Sequence, residues 1–262
     1  MDALEYIVRF FRDSCLNDSV QRHMCLFLVA LTVVGSALKE LCPLPDTYMS
    51  NKRNVLNVYF VKVAWGWTLW LLLPFIALTN FALTRNVKEV LRRLTSLLVG
   101  TAVWYICTQF FLFIENLTGS CYSSKDLEEL VIELGSRREC IIGGGFWHGF
   151  DISGHSFLLP YCVLIIVEET AVIHDLKLGK NRLFDVLVSI LFVFLGIISF
   201  IWIWMYLCTA IYFHELDQKL FGTAFGVLAW FGTYKSWYTL PCSPGLPPKS
   251  ASGPKKSEHY RQ

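Results

Sequence analysis

The chain has 262 residues, of which 54% are hydrophobic and 17% charged, and its formal net charge is +2. So little charge cannot cover the surface of a soluble protein of this length, and so small a net charge gives no footing for nucleic acid. Nine Trp and 20 Phe complete a composition typical of a protein whose solvent is the lipid bilayer.

Residues 1–23 mix Asp2, Glu5, Arg9, Arg12, Asp13 and Asp18 with short apolar pieces. They lack the apolar core of a cleavable signal peptide and read as a cytoplasmic N-terminal segment. A membrane-spanning helix needs about 20 apolar residues. Six runs qualify, at 24–41, 55–83, 94–114, 154–173, 187–213 and 220–238. They predict an all-α polytopic membrane protein whose six transmembrane helices occupy 24–238. The first run is the weakest, because Lys39-Glu40 interrupts its end. The second contains Lys62 and Pro74, which predict a snorkelling side chain and a kink.

Between the third and fourth runs lies the long loop 115–153. It is acidic at Asp126, Glu128, Glu129 and Glu133 and closes in Gly143-Gly144-Gly145. Cys121 and Cys140 both fall in it. In an oxidising compartment they are free to pair; otherwise they are apolar fillers like most of the nine cysteines. The Asn116-Leu117-Thr118 sequon hugs the end of a span, where modification is not expected. Residues 239–262, rich in Pro, Ser, Gly and Lys, read as a disordered cytoplasmic tail. Counting Lys and Arg around the six runs places about two-thirds of them on the side of both termini, which the positive-inside rule makes cytoplasmic. The loop 115–153 is then lumenal or exterior.

Two histidines stand out in this frame. His155 opens the fourth run and His214 closes the fifth, so both emerge on the same, non-cytoplasmic face. Imidazole is the side chain best matched to proton transfer near neutral pH. Phosphoryl hydrolysis without a metal needs a nucleophile, an acid and cations for the phosphate oxygens. One histidine could be the nucleophile, its tautomer fixed by a carboxylate, while the other donates the proton; His214 has Asp217 nearby. Asp151, four residues before His155, would share its helix face if the helix began early enough, and would then orient His155 or bind a polar headgroup. Lys52, Arg53 and Lys62 are the candidate phosphate-binding cations, though helix anchoring would explain them equally. The competing reading of both histidines is interfacial, with water and headgroups as their partners. A zinc site from His148, Asp151 and His155 would need a continuous helix through a glycine-rich stretch, so no metal or other cofactor is expected. Glu168-Glu169 lies near the far end of the fourth run, roughly 20 Å from His155, and is expected to cap or solvate that end.

Ser50-Asn51-Lys52-Arg53-Asn54-Val55-Leu56-Asn57-Val58-Tyr59-Phe60, the stretch Gly144-Gly145-Phe146-Trp147-His148-Gly149-Phe150-Asp151-Ile152-Ser153-Gly154-His155-Ser156-Phe157, and Tyr212-Phe213-His214 closely resemble the fat storage-inducing transmembrane family. The resemblance covers nearly the whole chain. It implies a multi-pass endoplasmic reticulum membrane protein of lipid droplet formation, with a lumenal acyl-coenzyme A diphosphatase activity. That activity cleaves long-chain acyl-coenzyme A to acyl 4′-phosphopantetheine and adenosine 3′,5′-bisphosphate. It also implies binding of the neutral lipids triacylglycerol and diacylglycerol, which as a non-catalytic function is the alternative reading. The family is related in turn to lipid phosphate phosphatases: Ser153-Gly154-His155 matches their second motif, which implies His155 as the general acid, and His214 matches the histidine of their third motif, which implies it as the nucleophile and Asp217 as a carboxylate to activate it. The chain departs from those phosphatases at Leu207-Cys208, where they carry Ser-Arg, and at Gln218, where their orienting Asp falls. It also has no intact Lys-to-Arg-Pro first motif.

Overall fold

The computed structural model describes residues 3–15, 18–42, 45, 47–123, 136–176 and 182–248. The chain is an all-α polytopic bundle. In order it forms α1 (Ala3–Phe10), α2 (Asp18–Leu41), α3 (Ala64–Thr84), α4 (Val87–Thr118), the short strand β1 (Ser120–Tyr122), α5 (Arg137–Ile142), β2 (Phe146–His148), α6 (Gly154–Thr170), α7 (Arg182–Tyr212) and α8 (Leu216–Trp230). Among the described residues five helical runs are long and apolar enough to cross a membrane: Ser19–Leu41, Leu56–Thr84, Val87–Thr118, Gly154–His174 and Arg182–Tyr212. The sixth predicted run is represented by α8, whose 15 residues continue through a wide π-helical turn (Phe231–Ser236) and a tight one (Trp237–Thr239).

Helix α4 is longer than its apolar run at both ends, and at its start Asn86 caps it by accepting a hydrogen bond from Lys88 N (3.0 Å). Its 32 residues extend roughly 48 Å, well beyond the hydrocarbon core. In the second run, Leu56–Phe60 is a π-helical turn and Val61–Val63 a 3-10 turn, so Lys62 sits on irregular helix just before α3 and is exposed.

The centre of the bundle is α6. Every residue from Ser156 to Val167 is buried, and α8, α7, α3, α2 and α4 pack around it. An apolar residue at nearly every position, with no polar stripe, is what a helix enclosed by others requires. Polar residues inside the spans join neighbouring helices: Trp202 Nε1 donates to Thr68 Oγ1 (3.1 Å), linking α7 to α3, and Trp65 Nε1 to Thr101 Oγ1 (3.0 Å), linking α3 to α4. Thr32, Tyr206 and Thr223 form one buried hydroxyl cluster across α2, α7 and α8.

The loop after α4 is a small disulfide-bonded unit in which Cys121 is joined to Cys140, and β1 pairs antiparallel with β2, Cys121 opposite Trp147. The acidic residues Asp126, Glu128, Glu129 and Glu133 lie outside the described residues.

At the opposite end of the bundle Glu169 neither caps nor solvates its helix. It is buried, with both carboxylate oxygens 2.6 Å from Arg93 Nη2 and a hydrogen bond from Tyr234 Oη (2.5 Å). Arg93 also donates to the carbonyl of Gly245. That contact draws Ser243, Pro244 and Gly245 into the protein, so the segment assigned to a tail from 239 onward is packed as far as Gly245. Burial of a guanidinium demands this many acceptors. Residues 249–262 lie outside the described residues.

Candidate active site

Helix α6 starts where the sequence turns from glycine-rich to apolar. Ser153 caps it, its Oγ accepting from Ser156 N (3.3 Å) and Ser156 Oγ (2.9 Å). Ser153 N in turn donates to Gln218 O (3.2 Å), tying the start of α6 to the first turn of α8. Gly222 and Gly226 make this approach possible. A Cβ added at Gly222 would lie 2.5 Å from Ser153 O, and one at Gly226 would lie 2.6 Å from Phe157 O. The Gly-x-x-x-Gly spacing is the usual way to bring two membrane helices into backbone contact, a signal that the reading of the sequence above passed over.

His155 is the second residue of α6, and His214 lies between α7 and α8. Close packing of α6 on α8 therefore sets one imidazole relative to the other. His214, Lys62 and Lys52 all lie within electrostatic reach of His155. Lys52 Nζ also lies 5.9 Å from the ring of Phe213, next to His214 in the chain. Arg53 is exposed, and no contact among the described residues brings its guanidinium to either histidine. Two of the three candidate cations thus converge.

His214 has φ = 51°, in the left-handed region that few non-glycine residues occupy. Its side chain is 16% exposed. Nδ1 lies 3.2 Å from Gln218 Oε1, and the same Oε1 accepts from Glu215 N (3.2 Å). An atom that accepts from a backbone N–H must be the amide oxygen, so His214 can meet it only by donating Nδ1–H. The tautomer is thereby assigned: Nε2 carries the lone pair. Gln218, a departure from the phosphatase pattern in sequence, occupies the orienting position in space. Asp151 Oδ2 is 3.7 Å from the same Nδ1.

These contacts revise two expectations. Asp151 was placed on a helix face with His155, but residues 149–153 are not helical. Phe150 N donates instead to Thr118 Oγ1 (2.8 Å) and its ring meets Phe221, which turns Asp151 toward His214. Asp217, expected beside His214, is exposed and its Oδ1 accepts from Gln218 N (2.7 Å). The helical arrangement of His148, Asp151 and His155 does not form either, since His148 lies on β2 beside Tyr122. Among the described residues no group of three His, Cys, Asp or Glu side chains is placed to hold a metal ion.

Burial holds the His214 imidazole below the ordinary histidine value; Asp151 and the Gln218 hydrogen bond oppose that shift, while Lys52 and Lys219 add to it. The imidazole is therefore neutral near neutral pH, as a nucleophile must be. Lys219 is fully buried and donates to Ala210 O (2.7 Å), and Lys39 donates to His214 O (2.7 Å). Carbonyls released at the end of α7 thus find ammonium partners. Lys39 had been legible only as a break in the first run.

The family profile for the fat storage-inducing transmembrane protein matches residues 45–192 and 180–234. The chain belongs to the fat storage-inducing transmembrane protein family. It is 56% identical to the acyl-coenzyme A diphosphatase FITM2 of Xenopus tropicalis over 261 residues, 100% of both chains. With the protein of the same name from Homo sapiens it shares 55% identity over 262 residues, again 100% of both. Fat storage-inducing transmembrane protein 1 of Homo sapiens is 38% identical over 248 residues, 93% of this chain and 81% of that protein. No solved structure matches. Within the fat storage-inducing transmembrane family, this chain thus aligns end to end with members named as diphosphatases.

Proposed function

We propose that this protein is an acyl-coenzyme A diphosphatase whose site is the His155–His214 end of the bundle. The observation that carries the reading is the pair of contacts to Gln218 Oε1, which fix His214 Nδ1–H and leave the lone pair on Nε2, in a site where His214, Lys52 and Lys62 all lie within electrostatic reach of His155. Full-length relatives named for that reaction support it.

In the mechanism, His214 Nε2 attacks one phosphorus of the anhydride. A P–N bond forms as the bridging P–O bond breaks, and the electron pair leaves with the departing phosphate oxygen. His155 donates a proton to that oxygen, and the bound phosphates stabilise the imidazolium it starts from. Water, deprotonated by the now neutral His155, then attacks phosphorus and displaces His214. Lys52 and Lys62 neutralise the phosphate oxygens, and Arg53 stays at the rim. Asp151 stabilises the charge that develops on the His214 ring, while Asp217 serves only the first turn of α8. The acyl chain lies among the helices.

Residues 1–23 and the tail beyond Gly245 belong to the cytoplasmic side, and the site faces the lumen of the endoplasmic reticulum. The apolar face that α4 leaves uncovered, including Leu91, Leu98, Ile106 and Phe113, favours a second, compatible role in holding triacylglycerol and diacylglycerol during lipid droplet formation.

The test is turnover of long-chain acyl-coenzyme A by detergent-purified protein. Acyl 4′-phosphopantetheine and adenosine 3′,5′-bisphosphate are expected in equal amounts; free fatty acid or no product would refute the reading. Its pH dependence carries a second test. Activity requires neutral His214, so the acid limb of kcat/KM follows that imidazole. Asp151→Asn removes a charge that favours the protonated form and should move the limb to lower pH. Lys52→Met removes a cation that disfavours it and should move the limb to higher pH. Shifts in the same direction would contradict the assignment.

A further inference from the structure

We propose that Lys39 is a positioning residue for the nucleophile, holding the main chain of His214 in its left-handed conformation from a different transmembrane helix; the proposal rests on the reading of His214 given above. Only two described non-glycine residues have positive φ, Arg85 and His214. Arg85 ends α3 in the ordinary way, its own N–H donating to Phe81 O. At His214 the carbonyl is taken instead by an ammonium 175 residues away in sequence, at 2.7 Å.

The geometry of α2 makes that contact more than a chance surface pairing. Thr32, Gly35 and Lys39 are at i, i+3 and i+7, on one helix face. Thr32 is locked to Tyr206 and Thr223. At Gly35 the backbone comes so close to Ala210 that an added Cβ would lie 2.7 Å from the Ala210 Cβ. The face that docks α2 on α7 and α8 therefore delivers Nζ to the turn between them. The other partner of Lys39, Glu215 at 3.5 Å, is 72% exposed, and an ion pair so open to water contributes little. What Lys39 supplies is the bond to the His214 carbonyl, and with it the direction in which the imidazole leaves the backbone. A misplacement of about 1 Å at a reacting group is enough to cost about 100-fold in rate.

Lys39→Met keeps the aliphatic stem and removes the donor; Lys39→Arg keeps a donor. With long-chain acyl-coenzyme A and wild type as reference, Lys39→Met should lower kcat by about 10- to 100-fold with KM within about twofold, and Lys39→Arg should recover most of the loss. The melting temperatures in detergent should stay within a few degrees. Unchanged kcat in Lys39→Met would overturn the proposal. So would a loss of kcat that tracks loss of thermal stability and is not recovered by Arg, since that is the mark of a merely structural residue. If Lys39→Met does not fold, Lys39→Gln, a shorter donor, should show the same kcat loss at unchanged KM, and its failure to do so counts equally against the idea. Absence of turnover in wild type would instead strike the functional reading itself.

Discussion

Replacement of His214 by Ala is expected to abolish acyl-coenzyme A hydrolysis, lowering kcat by about 10⁴-fold or more, while the protein still folds and elutes as wild type. The size of the effect follows from its role: without a nucleophile only water can attack, and His155, which starts as the imidazolium acid, cannot activate that water at the same time. His155→Ala should cost less, about 10²- to 10⁴-fold, the range for loss of one general acid. The two losses should not add in the double variant, because both histidines serve one transition state. Neither imidazole stabilises the bundle: His214 lies on a turn and His155 in the first turn of α6, half-buried. If either single variant kept more than a tenth of wild-type turnover, its assigned role would be wrong.

The largest effect on stability is expected far from the histidines, at Arg93 and Glu169. Their side chains are 4% and 1% exposed, and the carboxylate accepts from Arg93 and from Tyr234. Arg93→Ala leaves that carboxylate buried without a cation, which costs about 3–5 kcal/mol. Arg93→Lys should fail almost as badly, because an ammonium cannot meet both carboxylate oxygens and the Gly245 carbonyl together. Tyr234→Phe removes a single hydrogen bond to a charged group, worth about 1.5–3 kcal/mol. The pair Arg93→Met with Glu169→Gln should recover part of the loss by removing both charges. Thermal unfolding in detergent reads all four variants. Equal melting temperatures for Arg93→Ala and wild type would mean that Glu169 is neutral or hydrated.

Much of the fold was legible because lipid leaves a helix few options. Its backbone bonds must close within the segment, so five of the six apolar runs coincide with helices long enough to span. Boundaries were less legible, since the polar turns that extend α4 past the bilayer look like loop in a hydropathy profile. Within the site, His155 and His214 were found from their places at the ends of consecutive runs. Their partners were harder. Asp151 was read as helical because four residues separate it from His155, yet the glycines before it and its tether at Phe150 keep the chain extended. Gln218 looked like a lost carboxylate, although an amide oxygen can orient an imidazole as well. Lys39, Arg93 and Glu169 depend on partners 76 to 175 residues away, and pairings at that range leave no local pattern in one sequence.

Rapid quench of the purified protein with acyl-coenzyme A, followed by mass spectrometry under alkaline conditions that preserve P–N bonds, goes to the heart of the matter. A phosphoester adduct on His214 that forms within one turnover, decays with product release and is absent from His214→Ala is the expected result. Full turnover with no adduct on His214, or an adduct on another residue that persists in His214→Ala, would contradict the mechanism.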